Sequence, residues 1–182
     1  MKKLNKIWLF LVVALLSITK IADAKTELTS SNEVKWTTFD KVLEEAKSGN
    51  KKFILVDLYT DWCGWCKKMD ENVFNEASIS AELNADFAAV KFNAETAEPV
   101  VFKGKTYTFT KDGQRGANQL ALELGKVGNK LGYPTIVILD VEGKKLQAFP
   151  GYKDVQTMSV ILNYYKTESY KKMDFQQFQS GQ

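Results

Sequence analysis

The chain of 182 residues holds two cysteines, and they stand as Cys63-Gly64-Trp65-Cys66. On the first turn of a helix this spacing puts both sulfurs on one side, within reach of a disulfide. The first of them meets unpaired N–H groups and the positive end of the helix dipole. Both lower a thiol's pKa, which makes Cys63 the nucleophile. Cys66 lies one turn deeper, suited to resolving a mixed disulfide. Trp62 and Trp65 would cover the pair with apolar surface. Competing chemistries are few. A zinc site wants four ligands, and the chain has two cysteines and no histidine. Copper(I) accepts two thiolates, with Met69 nearby as a further donor. A purely structural disulfide closing so small a loop would stabilise little. The missing histidine also removes Ser-His-Asp and Cys-His catalysis.

The elements around the pair read as alternating strand and helix. Val34–Thr37 suggests a short first strand. Phe39, Val42, Leu43 and Ala46 have helical spacing within 39–48, stopped by Gly49-Asn50. Phe53–Tyr59 is apolar except for Asp57, the pattern of a strand buried on both faces. A helix is predicted from Cys63 to about Leu83, broken near Phe74-Asn75. A strand follows at Phe87–Asn93, then a short helix around Leu120–Leu124 that Gly125 and Gly128 would weaken. Thr135–Asp140 is a second all-apolar strand, paired through the turn Glu142-Gly143 with Leu146–Phe149. Val155–Tyr165 is the last amphipathic helix. The fold class is therefore α/β, a central mixed sheet flanked by helices. Glu95–Ala117 breaks this rhythm and reads as an insertion. It holds a hairpin from Val100–Phe102 and Lys105–Phe109, then a loop at Lys111-Asp112-Gly113. The insertion is either decoration or a determinant of partner choice.

Composition and charge narrow the function classes. The chain is 45% hydrophobic and 26% charged, ordinary values for a globular domain. Its net charge of +3 resides in residues 1–24, so the remaining 158 residues are neutral. That balance offers no electrostatic footprint for nucleic acid or an anionic membrane. Residues 1–24 read as a secretory signal peptide: basic Met1–Lys6, apolar Ile7–Leu16, and the pattern Ala22-Asp23-Ala24, with cleavage after Ala24. The alternative is an uncleaved anchor, but the apolar run is short for a span. A secreted or periplasmic, bacterial protein without a permanent membrane anchor is expected. Residues 25–33 would form a flexible arm, 34–168 the domain, and 169–182 a C-terminal tail that is either a docked helix or disordered.

The segment Val56-Asp57-Leu58-Tyr59-Thr60-Asp61-Trp62-Cys63-Gly64-Trp65-Cys66-Lys67 resembles the active-site segment of thioredoxins, with Trp65 where they carry proline. Gly132-Tyr133-Pro134-Thr135, ahead of a buried strand, is similar to their cis-proline loop. Gly143 and Gly151 also resemble family positions. The likeness covers residues 34–165 and leaves Glu95–Ala117 outside it. It implies a thioredoxin-like fold with a cis bond before Pro134, close to the sulfurs. Trp62, Gly64, Trp65, Tyr133 and Pro134 would line a substrate groove in which the Tyr133 backbone pairs with an extended segment. Burial of Asp57 should raise its pKa, and the resemblance implies that it exchanges a proton with Cys66. The resemblance also suggests Lys91 as its charge partner. Otherwise Asp57 is a wet strand-end residue and Lys91 a surface lysine.

These residues converge on a thiol–disulfide oxidoreductase that reduces protein or peptide disulfides outside the cytosol through the Cys63/Cys66 couple. No organic cofactor and no metal are required, and a monomer is expected. The compartment calls for a membrane-bound electron donor. Gly-Trp between the cysteines and the absence of histidine favour reduction, whereas an oxidising compartment pulls the other way. The alternatives are an oxidase or isomerase of the same fold, or a non-enzymatic module that binds peptides or handles copper(I).

Overall fold

The two runs with the fewest polar residues become the middle of a sheet. The computed structural model describes residues 33–112 and 115–181. The expected leader 1–24, most of the arm 25–33 and Gly113 lie outside the described residues. Strand β1 is Trp36–Thr37, helix α1 Phe39–Ser48 and strand β2 Phe53–Tyr59. Helix α2 is Gly64–Met69, continued by a π-helical turn at Asp70–Phe74, and helix α3 is Ala77–Asp86. Strand β3 is Phe87–Asn93, and four short strands follow: β4 Val100–Phe102, β5 Lys105–Tyr107, β6 Phe109–Asp112 and β7 Arg115–Asn118. Helix α4 is Gln119–Gly125, strand β8 Thr135–Asp140, strand β9 Lys145–Pro150 and helix α5 Val155–Lys166. A 3-10 turn at Ser169–Lys171 leads to helix α6, Phe175–Ser180.

The main sheet runs β1-β3-β2-β8-β9. β2 pairs parallel with β3 and antiparallel with β8, so the sheet is mixed, as expected. Alternation along β2 divides the interior into two layers. Phe53 and Leu55 face a cluster with Met69, Val73 and Phe74 from the active-site helix and its π turn, and Ile161 and Tyr165 from α5. Ile54, Val56 and Leu58 face a second cluster with Val42 of α1 and Leu120 and Leu124 of α4. Both faces of β2 are therefore covered, which is why its sequence carries no polar alternation.

One segment differs from the sequence expectation, and another takes the first of its two expected forms, a docked helix. Lys111-Asp112 is not loop: β6 pairs with β7 as a second hairpin, in the register Phe109↔Asn118 and Lys111↔Gly116. No apolar run marks these strands, because one face of so small a ribbon is exposed. The first hairpin is also anchored in the interior, since Phe102 and Tyr107 belong to the second core cluster. The other segment is Tyr170–Ser180. Asp174 caps α6 with a capping box, and Phe178 is buried in the first cluster, with Tyr170 and Phe175 packed against it. Gly125, read as a helix breaker, has a packing reason. A Cβ there would come within 2.4 Å of Leu58 Cδ1 and 2.5 Å of Leu131 Cδ1.

The docking of α6 gives the first prediction. Phe178→Ala should lower unfolding free energy by about 3 kcal/mol in urea titrations, the loss typical of a buried phenylalanine. An unchanged midpoint would mean that the C-terminal helix adds nothing to the fold.

Candidate active site

The site forms where β2 ends. After Tyr59 the chain turns, the Cys63 N–H donating to Thr60 O at 3.0 Å, and α2 begins with Cys63 as its cap. Cys63 and Cys66 are joined in a disulfide with their Cα atoms 5.3 Å apart. The Cys66 N–H donates to Cys63 Sγ at 3.1 Å, a contact that would also favour a thiolate on that sulfur. Both cysteines are buried, whereas the flanking Trp62 and Trp65 are 53% and 57% exposed. Each tryptophan thus keeps about half of its surface open to solvent next to a buried sulfur pair. Trp62 turns toward Tyr133, with ring centroids 6.0 Å apart, and Trp65 toward Tyr152 at 5.4 Å. A Cβ added at Gly64, between them, would meet no atom within 4 Å.

β8 brings the second motif to the same edge. Thr135 pairs with Leu58, so the preceding Tyr133-Pro134 enters the sheet where the cysteine turn leaves it. The Tyr133–Pro134 peptide is cis, and Pro134 O accepts from the Gly151 N–H at 2.8 Å. Burial, and then the charge of Glu95, push the Tyr133 hydroxyl up to about 12.

Asp57 lies inside the sheet, 1% exposed. Its neighbour in register on β3 is Lys91, whose Nζ donates to Asp57 Oδ2 at 2.9 Å. Burial raises the carboxyl to about 6 against the opposing pull of Lys91. Among the described residues Asp57 Oδ1 has no hydrogen-bond partner, and neither has the nearby Thr60 Oγ1. Lys91 is also in contact with Asp70 and stands 5.0 to 5.6 Å from the ring centroids of Trp36, Tyr59 and Phe74. Burial works against its charge, but the two carboxylates prevail and raise its pKa. Asp70 was missed in the sequence, where it reads as one polar residue on a helix. The π turn carries it to Lys91, and no periodicity announces a π turn.

Lys91 and Asp57 thus share an ion pair, and Trp62, Tyr133 and Pro134 share one edge of the sheet with the disulfide. Met69 is buried in the first core cluster. Among the described residues no group of three or more His, Cys, Asp and Glu is placed to hold a metal ion.

A family model described as a thioredoxin-like domain matches residues 39–166. The disulfide bond reductase DsbH of Chlamydia pneumoniae is 26% identical over 124 residues, covering 67% of this chain and 66% of its own. The thiol:disulfide interchange protein DsbD of Escherichia coli strain K12 is 26% identical over 164 residues, covering 85% of this chain and 25% of its own. The chain thus spans about two thirds of the first relative's length and a quarter of the second's. Among solved structures, a thioredoxin from Thermus thermophilus superposes with a TM-score of 0.54 at 16% identity, over 75% of this chain and 89% of its own. That likeness concerns the fold.

The electrostatics of Asp57 yield a stability prediction. The folded-state pKa is raised above the unfolded one. The native state therefore holds the extra proton between about pH 4 and 6, and stability falls as pH rises through that window. A rise from 3.8 to about 6 corresponds to roughly 3 kcal/mol at most. Asp57→Asn should stabilise the oxidised protein at neutral pH by about 2 kcal/mol and flatten its stability profile over this window. A variant no more stable than wild type at pH 7.5 would contradict the burial argument.

Proposed function

The chain belongs to the thioredoxin-like family, and on that premise we propose that it is a thiol–disulfide oxidoreductase that reduces protein disulfides outside the cytosol. The observation that carries the reading is the Cys63–Cys66 disulfide at the end of β2, flanked by two exposed tryptophans and met from β8 by the Tyr133-Pro134 turn. The named activities of DsbH and DsbD support it. The leader-like residues 1–24 support the compartment.

In the reduced protein the Cys63 thiolate attacks one sulfur of the substrate disulfide. That S–S bond breaks, the departing substrate sulfur takes up a proton, and Cys63 is left in a mixed disulfide. Asp57, held near neutrality, accepts the Cys66 proton. The Cys66 thiolate then attacks Cys63 Sγ, releasing the second substrate thiolate, which is protonated in turn. Two electrons have passed to the substrate and the Cys63–Cys66 disulfide is restored. Lys91 keeps Asp57 from becoming so weak an acid that it never ionises. The pair itself is the redox centre, so no organic cofactor enters. A thiol-bearing donor must return the electrons, and outside the cytosol a membrane-embedded protein is the reading we favour. Trp62, Gly64, Trp65, Tyr133 and Pro134 form the surface on which the substrate segment lies.

The deciding measurement is the reduction potential of the couple on protein lacking residues 1–24, read by tryptophan fluorescence in defined thiol buffers. A value near −270 mV is expected for a reductase, whereas about −120 mV would make the protein a disulfide donor. Cys63→Ser should abolish turnover, and Cys66→Ser should accumulate covalent substrate complexes visible on non-reducing gels. Full activity in either variant would sink the mechanism. Asp57→Asn should slow resolution of the mixed disulfide by about 100-fold or more near pH 7, as loss of a general base does. An unchanged rate across neutral pH removes Asp57 from the chemistry.

A further inference from the structure

The insertion returns to the cysteines. Trp62 belongs to neither core cluster, yet its indole is held from three directions. Its Nε1 donates to Glu95 Oε2 at 2.9 Å, the Arg115 guanidinium lies 4.2 Å from its ring centroid, and Tyr133 meets it edge-on. Glu95 is itself fixed: its N–H donates to Asn93 Oδ1, and Asn93 Nδ2 donates to Asp61 Oδ2, each at 3.0 Å. Immobilising an exposed indole costs side-chain entropy without adding core. Beside it opens a cleft of about 340 Å³, with Trp62, Leu122, Leu131 and Tyr133 on its walls beside the charged Glu95, Arg115 and Lys126. The β6–β7 hairpin contributes Arg115, Gly116 and Ala117 to one side of it. Within that hairpin the two strands pair closely over the Phe109 ring because residue 116 is glycine, where a Cβ would lie 2.4 Å from Thr110 O.

We infer that the insertion builds a substrate subsite, which takes a bulky apolar side chain from the peptide segment flanking the cysteine under attack. Glu95 and Arg115 are the positioning residues that hold Trp62 as its wall. The inference rests on the reductase reading and names its substrate class: polypeptide disulfides with an apolar flank. Two aromatic rings and two leucines stand in that lining among charged neighbours, and a pre-fixed aromatic face offers contact area with little entropy left to lose on binding. A cavity of this size suits a side chain or two of a peptide, whereas a small-molecule disulfide has nothing to place in it.

The test uses synthetic peptides closed by one intramolecular disulfide, with Gly, Leu, Phe, Asp or Lys beside the first cysteine. Each kcat/KM is divided by the same protein's rate on hydroxyethyl disulfide. In wild type the Leu and Phe peptides should exceed the Gly peptide by about tenfold, mainly through KM. Glu95→Ala and Arg115→Ala should each erase most of that ratio, and Arg115→Lys, which keeps a cation over the ring, should retain it. A flat series in wild type, a preference for Asp or Lys, or a ratio untouched in both alanine variants overturns the inference while the reductase reading stands. Wild-type protein that fails to reduce hydroxyethyl disulfide overturns that reading, and the subsite falls with it.

Discussion

A carboxylate in the middle of a sheet covered on both faces is the constraint around which this molecule is arranged. Asp57 sits in β2 between strands that bury it almost completely. An isolated ion there would be prohibitive, and two features make it tolerable. Parallel pairing puts Lys91 opposite it in register, and the π turn after α2 supplies Asp70 as a second partner for the lysine. Three aromatic rings then surround the ammonium. Because α2 also opens on the cysteines, the carboxylate that holds Lys91 from the far side and the thiols whose protons Asp57 could exchange belong to one short segment, Cys63–Phe74. A change in the pitch of that helix would move both.

The insertion depends on the same strand ends. The Ala94 N–H donates to Tyr59 O, and the Asn118 N–H donates to Ala94 O. The Asn118 side chain then accepts from the Leu120 N–H and donates to Tyr107 O. This buried asparagine therefore ties the end of β3, the first hairpin and the start of α4 to the carboxyl end of β2. The insertion rooted there reaches toward both ends of the sheet: its first hairpin meets the Glu142-Gly143 turn, where a Cβ at Gly143 would lie 2.6 Å from Phe102 Cζ, and Arg115 of its second lies over Trp62 beside the cysteine turn. Its inner residues Phe102 and Tyr107 keep it against the core.

The parts legible in the sequence were those where one interaction dominates. β2 and β8 announce themselves because burial on both faces leaves a continuous apolar run. The cysteine pair stands out because its spacing after such a run has few other uses. Asp57 was visible as the one charge in an apolar strand, and its partnership with Lys91 came from family likeness. What escaped was set by tertiary contact. β6 and β7 have no buried face long enough to leave a period-2 signal. Asp70 meets Lys91 only because the helix widens to a π turn. Glu95 and Arg115 are twenty residues apart and ordinary in type. Nothing local shows that both end on one indole.

The proposed reductive direction has a root in the same geometry. A dithiol becomes strongly oxidising when the thiolate of its reduced form is specially stabilised. Here the contact made to Cys63 Sγ is one backbone N–H, at the head of a helix of six residues before its pitch changes. The chain has no histidine to place between the cysteines, and Lys68, on the same helix, lies over the Trp65 ring. In the proposed direction, a thiolate with no more than that support returns its electrons more readily than one held by further cations.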